Sequence, residues 1–292
     1  MSQLEDEIGD IVSKARRGLG ISLKEAAERA NLSEDVYALI ESCRLIPDAE
    51  TLVAIACTLR LNPDKLKKIA GGWTPKEPNL TTKNASIELI PTTFGVTGEA
   101  RLGDYIQNCF LLKCSKTSTA AVIDPGGNIE GILQSIQKAK AHVEIIMITH
   151  AHHDHTGGIK DLVKNLGKIT IAAHKNEIPH IQMQRDKANK LQTVPVSDGA
   201  EIMLGNLVIK ALHTPGHTEG SLCYATDRFC FVGDTLFAGS IGSSTVYNGY
   251  PEMLNSICDK ILSMPDETII LPGHGPITTV GEEKQHNPFF SK

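Results

Sequence analysis

Apolar residues recur at three- and four-residue spacing through IGDIVSKARRGLGISLKEAAERANLSEDVYALIESC, without the alternation that marks a strand. Residues 1–70 therefore read as a small all-α domain. Ser22 is the N-cap of LKEAAERA, with Glu25 three residues on to complete a capping box, and Ser33 caps DVYALIES. Asn31 and Leu32 fill the turn between them. Pro47 breaks the chain before AETLVAIACTLRL, and a last helix falls around DKLKKIA. Residues 71–86, GGWTPKEPNLTTKNAS, have a linker's content of Gly, Pro, Thr and Asn. From 87 to 292 the texture changes. Short β-rich runs (SIELIP, YIQNCFLLKC, TAAVIDPGG, VEIIMITH, KITIAAH, LVIKALH, SLCYATD, RFCFVGD, ETIILPGH) alternate with helical stretches near IEGILQSIQKAK, GIKDLVKNL and PEMLNSICDKIL. That order predicts an α/β layer architecture.

Several of these strands end in residues that bind metals. The apolar run VEIIMI delivers the chain into THAHHDHTGG, where His150, His152, Asp154 and His155 form an HxHxDH pattern. In an extended segment residues two apart point the same way, so His150 and His152 can converge on one ion while Asp154 and His155, past a bend, face a second. Imidazole and carboxylate together suit zinc first, with iron or manganese also compatible, and suit magnesium or calcium less. A histidine-rich polar turn is the plain alternative, but so many polar rings on an apolar strand are costly to bury without a purpose. LVIKALHTPGHTEGS offers His213 and His217, RFCFVGDTLF offers Asp234, and TIILPGHGP offers His274. Each alone is an ordinary turn residue; four strand ends of one form argue for convergence.

Composition narrows the setting. The 292 residues are 41% hydrophobic and 22% charged, as in a globular protein, and no run approaches the length of a membrane span. The acidic opening MSQLEDEIGD is unlike a secretory signal, and the seven scattered cysteines read as free thiols, so a cytoplasmic location is expected, with no membrane partner. A net charge of −5 gives no general attraction to nucleic acid.

THAHHDHTGG, HTPGHTEGS, GDTLFAGSIG and LPGHGP resemble, in order, the metal motifs of the metallo-β-lactamase superfamily. The resemblance covers 87–292 and implies an αββα sandwich with two divalent metal ions at one edge. By it, His150, His152 and His217 bind one ion, Asp154, His155 and His274 the other, and Asp234 bridges them. Asp154 and Asp234 are then the catalytic carboxylates, Asp154 both ligating and orienting a hydroxide that two cations generate near neutral pH. His213 is expected to be structural and His153 to point away, while His142, His174, His180 and His286 have no assigned role.

IDPGGN, VGDTLFAGSIG and the tail LPGHGPITTVGEEKQHNPFF are similar to short glyoxalase II-like proteins, which lack the extra glutathione-binding helices of hydroxyacylglutathione hydrolase. The implied reaction is hydrolysis of a small-molecule thioester such as S-lactoylglutathione. Where close relatives continue with Arg and an Asp-Phe pair, this chain reads SSTVYNGY, Ser243 to Tyr250, which leaves the substrate open. Tyr247 and Tyr250 are candidates to line the pocket, against simple packing of an aromatic loop. Lactonase, β-lactamase and persulfide dioxygenase are alternatives on this fold; His274 in its GHG turn favours a second metal and weighs against the last, and a nucleic-acid-processing member normally carries a further large domain.

Residues 8–70 resemble the lambda-repressor/Cro type of helix-turn-helix, with Cys43 where a glycine is usual. In such domains the helix after the turn reads bases with its N-terminal residues, which here are Ser33, Glu34 and Asp35. Ten Lys/Arg against twelve Asp/Glu in residues 1–70 is an acidic balance, where a DNA reader is basic. Lys14, Arg16, Arg17 and Arg44 are left for local phosphate contacts, DNA is the less favoured partner, and oligomerisation (a homodimer) or docking is the expected role. The whole chain is thus an enzyme with a helical adaptor or a regulator with a ligand-sensing hydrolase-like domain, and the full ligand set favours the enzyme.

Overall fold

The computed structural model describes residues 4–93, 106–183, 191–244, 246 and 248–291. Five helices come first: α1 (Ile8–Gly18), α2 (Leu23–Arg29), α3 (Glu34–Glu41), α4 (Ala49–Thr58) and α5 (Pro63–Ala70). Side-chain caps start four of them, Ser22 on Glu25 N–H, Ser33 on Val36 N–H, Asp48 on Thr51 N–H and Asn62 on Lys65 N–H. Each satisfies a backbone donor that the helix cannot. The carboxylate of Glu25 goes to Arg29, 2.6 Å away, and not back to Ser22; an i,i+4 ion pair takes the place of the reciprocal half of the expected capping box. Ile11, Val12, Ala15, Ala26, Tyr37, Ile40, Ile55 and Leu66 close the small core.

Two six-stranded sheets follow. The first is built in chain order from β1 (Ala85–Thr93), β2 (Ile106–Cys114), β3 (Thr119–Ile123), β4 (His142–Met147), β5 (Thr170–His174) and β6 (Gln192–Val196), antiparallel up to β3 and parallel beyond. On its outer face lie α6 (Ile129–Lys138), α8 (Ile159–Leu166) and α9 (Ile178–Met183); the four-residue α7 (His153–Thr156) sits at the strand ends. The second sheet draws on β7 (Glu201–Leu204), β8 (Leu207–His213), β9 (Leu222–Thr226) and β10 (Phe229–Gly233), then, past a small pair β11 (Leu236–Phe237) and β12 (Ser240–Ile241), on β13 (Ile269–Pro272) and β14 (Thr278–Thr279). Its order is β14-β13-β10-β9-β8-β7. Outside it pack α10 (Gly249–Ser256), which runs on through a π-helical turn Ile257–Ile261, and α11 (Val280–His286).

Strand period divides the apolar residues between three layers. Phe110, Leu112, Phe229 and Phe231 meet between the sheets, Cys109 and Leu111 face the helices of the first sheet, and Cys230 and Val232 face α10. Strands buried on both faces need unbroken apolar runs, which is why IIMI and FCFV read as they do. This is the αββα sandwich that the motifs imply. All seven cysteines are free, four of them buried.

The helical domain is seated on the outer layer of the second sheet. Lys65 of α5, 8% exposed, donates to the carbonyl oxygens of Lys284 and Phe290, and the Asn62 N–H donates to the Pro288 carbonyl. Lys14 of α1 donates to the Ile241 carbonyl while paired with Asp6. Trp73 stacks on His286 at 4.7 Å, which gives that histidine its place. Gly18 lies flat on the Tyr250 ring, where any Cβ would collide.

Candidate metal centre

The seven candidate side chains come together at one edge of the sandwich, each just past a strand or on the loop it enters. His150 follows β4, and His152 leads into α7, which carries Asp154 and His155. His217 lies on the loop between β8 and β9, Asp234 follows β10 and His274 follows β13. Gly273 has to be glycine, since a Cβ there would overlap the Asp234 carboxylate and the His155 ring.

Ring atoms meet in a way that hydrogen bonding does not account for. His152 Nδ1 lies 3.1 Å from His150 Nε2 and 3.0 Å from His217 Nε2. The other nitrogen of each of the two latter rings is already engaged: His150 Nδ1 by the Thr149 hydroxyl at 3.1 Å and His217 Nδ1 by the Ser243 carbonyl at 2.6 Å. A ring whose Nδ1–H is given to a carbonyl turns a lone pair inward at Nε2. Three nitrogens thus converge on one point, with edges close to those of ligands about 2.0–2.1 Å from a shared ion. Opposite them His274 Nε2 is 3.1 Å from Asp154 Oδ2, and His155 Nε2 is 3.6 Å from that oxygen and 3.2 Å from Asp234 Oδ1. Asp234 Oδ2 stands 3.6 Å from both His217 Nε2 and His274 Nε2, so this carboxylate faces both groups. Both atoms of that 3.2 Å contact, His155 Nε2 and Asp234 Oδ1, are buried without a well-formed hydrogen bond among the described residues, a costly state unless a cation sits between them. The His and Asp clusters fit a binuclear metal site.

Charge is divided across the centre. Burial and the neighbouring His155 hold His150 well below the ordinary imidazole range, and burial does the same to a lesser degree for His217. On the other side burial opposes charge on His155, but Asp234 and Asp124 outweigh it and raise the ring well above its ordinary value. Asp234 is held far down in turn, since His155 and His274 overcome its burial. A half-site that draws a proton so strongly is one that attracts a metal cation.

Asp124 and Glu177 lie outside the seven candidates, yet both position them. Asp124, 1% exposed, accepts from the Thr149 N–H at 2.8 Å, the Thr149 hydroxyl at 2.6 Å and His155 Nδ1 at 2.9 Å. Its signal was the IDPGG turn at the end of β3. Glu177, between β5 and α9, accepts from the N–H groups of Ala151 and Gly220 and from the Thr218 hydroxyl. Nothing in KNEIPH marks it.

The other histidines stay out of the groups. His213 stacks on His174 at 4.4 Å, its Nε2 against the Glu219 carbonyl, and His153 is exposed over Gly157. His142 and His180 are exposed. Tyr250 is nearly buried against Phe289, and Tyr247 lies outside the described residues.

Residues 102–274 match the model of the metallo-β-lactamase superfamily and residues 12–66 match a helix-turn-helix model. The chain belongs to the metallo-β-lactamase superfamily, with a helix-turn-helix domain ahead of the sandwich. Hydroxyacylglutathione hydrolase GloC of Haemophilus influenzae is 30% identical over 219 residues, 70% of this chain and 98% of that protein. The probable metallo-hydrolase YqgX of Bacillus subtilis is 33% identical over 58% of this chain and 86% of its own. Among solved structures, the BLEG-1 B3 metallo-β-lactamase superposes with a TM-score of 0.59 at 28% identity, over 70% of this chain and 100% of that one. TTHA1623, solved in a di-iron-bound form, gives 0.55 at 28%, over 68% and 99%.

Proposed function

We propose that the protein is a thioester hydrolase acting on a glutathione conjugate such as S-lactoylglutathione. The convergence of lone pairs from five histidines on two carboxylates carries the hydrolytic part of this reading. The likeness to GloC along nearly that protein's whole length supports the choice of substrate class. His150, His152 and His217 would hold one ion and Asp154, His155 and His274 the other, with Asp234 able to serve both. Two divalent cations there, zinc by preference with iron or manganese also suited, supply when bound a water of lowered pKa and a Lewis-acid contact for the acyl oxygen.

The chain's own groups do the rest. Asp124 and Thr149 fix the rings of His155 and His150 so that their Nε2 atoms face inward. Asp154 keeps 29% of its side chain exposed, against 10% for Asp234, so it stands at the open side and accepts the proton of the attacking water. Burial of the remaining ligands keeps the site poor in competing water, which strengthens every charge interaction in it.

Loss of S-lactoylglutathione on mixing with metal-replete protein tests the proposal. Rapid turnover that a chelator abolishes is the expected result. No turnover by protein that retains its metal would sink the substrate assignment and turn attention to other thioesters, lactones and β-lactams.

A further inference from the structure

A cavity of about 760 Å³ lies where the helical domain meets the loop after β12. That volume is within the usual range for small-molecule sites. One wall is α1 with the end of α4, contributing Ser13, Arg17 and Arg60; the other includes Gly242, Ser243, Ser244, Val246, Asn248 and Tyr250. The second wall is tied to the metal centre. His217 Nδ1 is engaged by the Ser243 carbonyl, and the Ser244 hydroxyl donates to the Gly216 carbonyl at 2.8 Å. The cavity and the first histidine group therefore share one loop.

Its charge is one-sided. Lys14, Arg17 and Arg60 line it, and among the described residues no lining residue is acidic. Lys14 is already engaged by Asp6 and the Ile241 carbonyl. Arg16 and Arg29 have Glu41 and Glu25 as partners, but Arg17 and Arg60 have no ion-pair partner among the described residues. Arg60 also occupies the left-handed position that ends α4, with φ +58°, where glycine is the common choice. Two exposed guanidiniums on one cavity, with no carboxylate among its described lining residues, suit an anionic ligand, a carboxylate in particular.

We propose that the helix-turn-helix domain is one wall of the substrate site, and that Arg17 and Arg60 bind the carboxylates of the glutathione portion of the thioester. This rests on the thioester reading above and deepens it. The domain's docking by Lys65, Asn62 and Lys14 then serves to hold that wall in place.

The test uses the full-length, metal-replete chain and the double charge reversal R17E/R60E. Both side chains are exposed, so the fold and the metal content of the variant should match the parent, and both are measured first. Binding of the non-hydrolysable thioether S-methylglutathione is read by calorimetry, and turnover of S-lactoylglutathione by its loss of absorbance. The expected result is at least tenfold weaker thioether binding and a KM raised by a similar factor, with kcat within about twofold, since ground and transition states lose the same contact. The effect should shrink with added salt.

Turnover with an unchanged KM would overturn the arginine assignment while leaving the hydrolase reading intact. If the parent turned over no S-lactoylglutathione, the thioester reading would fall, and the wall would still be judged by thioether binding. No thioether binding by the parent would overturn the wall. So would a variant that loses affinity for duplex DNA but keeps its affinity for the thioether, because the arginines would then serve a nucleic acid.

Discussion

Glu177 is the buried tie between the two loops that carry the first histidine group. Its carboxylate, in a residue 5% exposed, takes the Ala151 N–H at 2.8 Å, between His150 and His152. It also takes the Gly220 N–H at 3.0 Å and the Thr218 hydroxyl at 2.9 Å, on the loop of His217. In Glu177→Ala the Thr218 hydroxyl keeps Ser221, 2.8 Å away, but two backbone N–H groups lose their acceptor. At ~1–3 kcal/mol for each orphaned donor, the loss is about 4 kcal/mol. For a chain of this size that lowers Tm by roughly 10 °C.

The second ligand group hangs elsewhere, on Asp124 through His155 Nδ1 and on the Ile106 carbonyl through His274 Nδ1. The substitution should therefore weaken the first ion by ~10–100-fold and leave the second nearly as tight. Stepwise competition with a chromophoric chelator, with metal content counted after each step, separates the two. One ion per chain should come off early in Glu177→Ala. Two ions released together as in the parent, with Tm within 2 °C of it, would refute the idea that this carboxylate braces the first group.

Two further predictions follow from single carboxyl groups. Asp234→Ala removes a carboxylate that faces both groups, so dialysed protein should lose metal and nearly all hydrolysis together; full turnover would show that Asp234 does not bridge. Glu283, wholly buried beneath Gly239 and Asn287, has its carboxyl pushed up to about 7 from 4.5 by burial, against the hydrogen bonds of Asn287, Thr278 and the Gly239 N–H. A raised pKa stabilises the fold fully below 4.5, and that contribution is lost as pH rises through about 7, on the order of 3 kcal/mol. In urea unfolding from pH 5 to 8 with metal present, Glu283→Gln should lack this decline relative to the parent, and parallel curves would exclude it.

Period was enough to read the layers. IIMI, FCFV and IIL are apolar without a break because both faces of each strand are covered there, and a candidate ligand follows each run within three residues. Three short helices carry no periodic signal in the sequence. α7 is one turn of HDHT, α9 is the polar-flanked IPHIQM, and α11, VGEEKQH, owes its start to the Thr279 hydroxyl on the Glu282 N–H and its burial to Val280 and Glu283. None is long enough for a helical period to emerge. Ligand types were legible for the same reason as the strands: His and Asp at the ends of apolar runs stand out from their surroundings. Positioning groups were not. Asp124 sits in a Pro-Gly turn where aspartate is ordinary, and the three donors that make Glu177 matter come from segments 26 to 43 residues away.

The helical domain illustrates a different gap, between the charge of a domain and the charge of a face. Counted whole, residues 1–70 are acidic, and α3 opens with exposed Glu34 and Asp35, a poor end to offer to phosphates. Folding divides that charge. Asp6 is taken up by Lys14 and Ser240, Glu41 by Arg16, and Glu25 by Arg29, which leaves Arg17 and Arg60 to set the sign of the cavity beside the metal loop. The net acidity and the cationic wall are therefore compatible, because none of the described residues that line the cavity is one of the domain's carboxylates. A helix-turn-helix sequence pattern specifies how α2 and α3 pack on each other, through Ala26, Ala27, Tyr37 and Ile40. It does not specify what the surface of α1 faces, and in this chain α1 faces the loop whose Ser243 carbonyl engages His217.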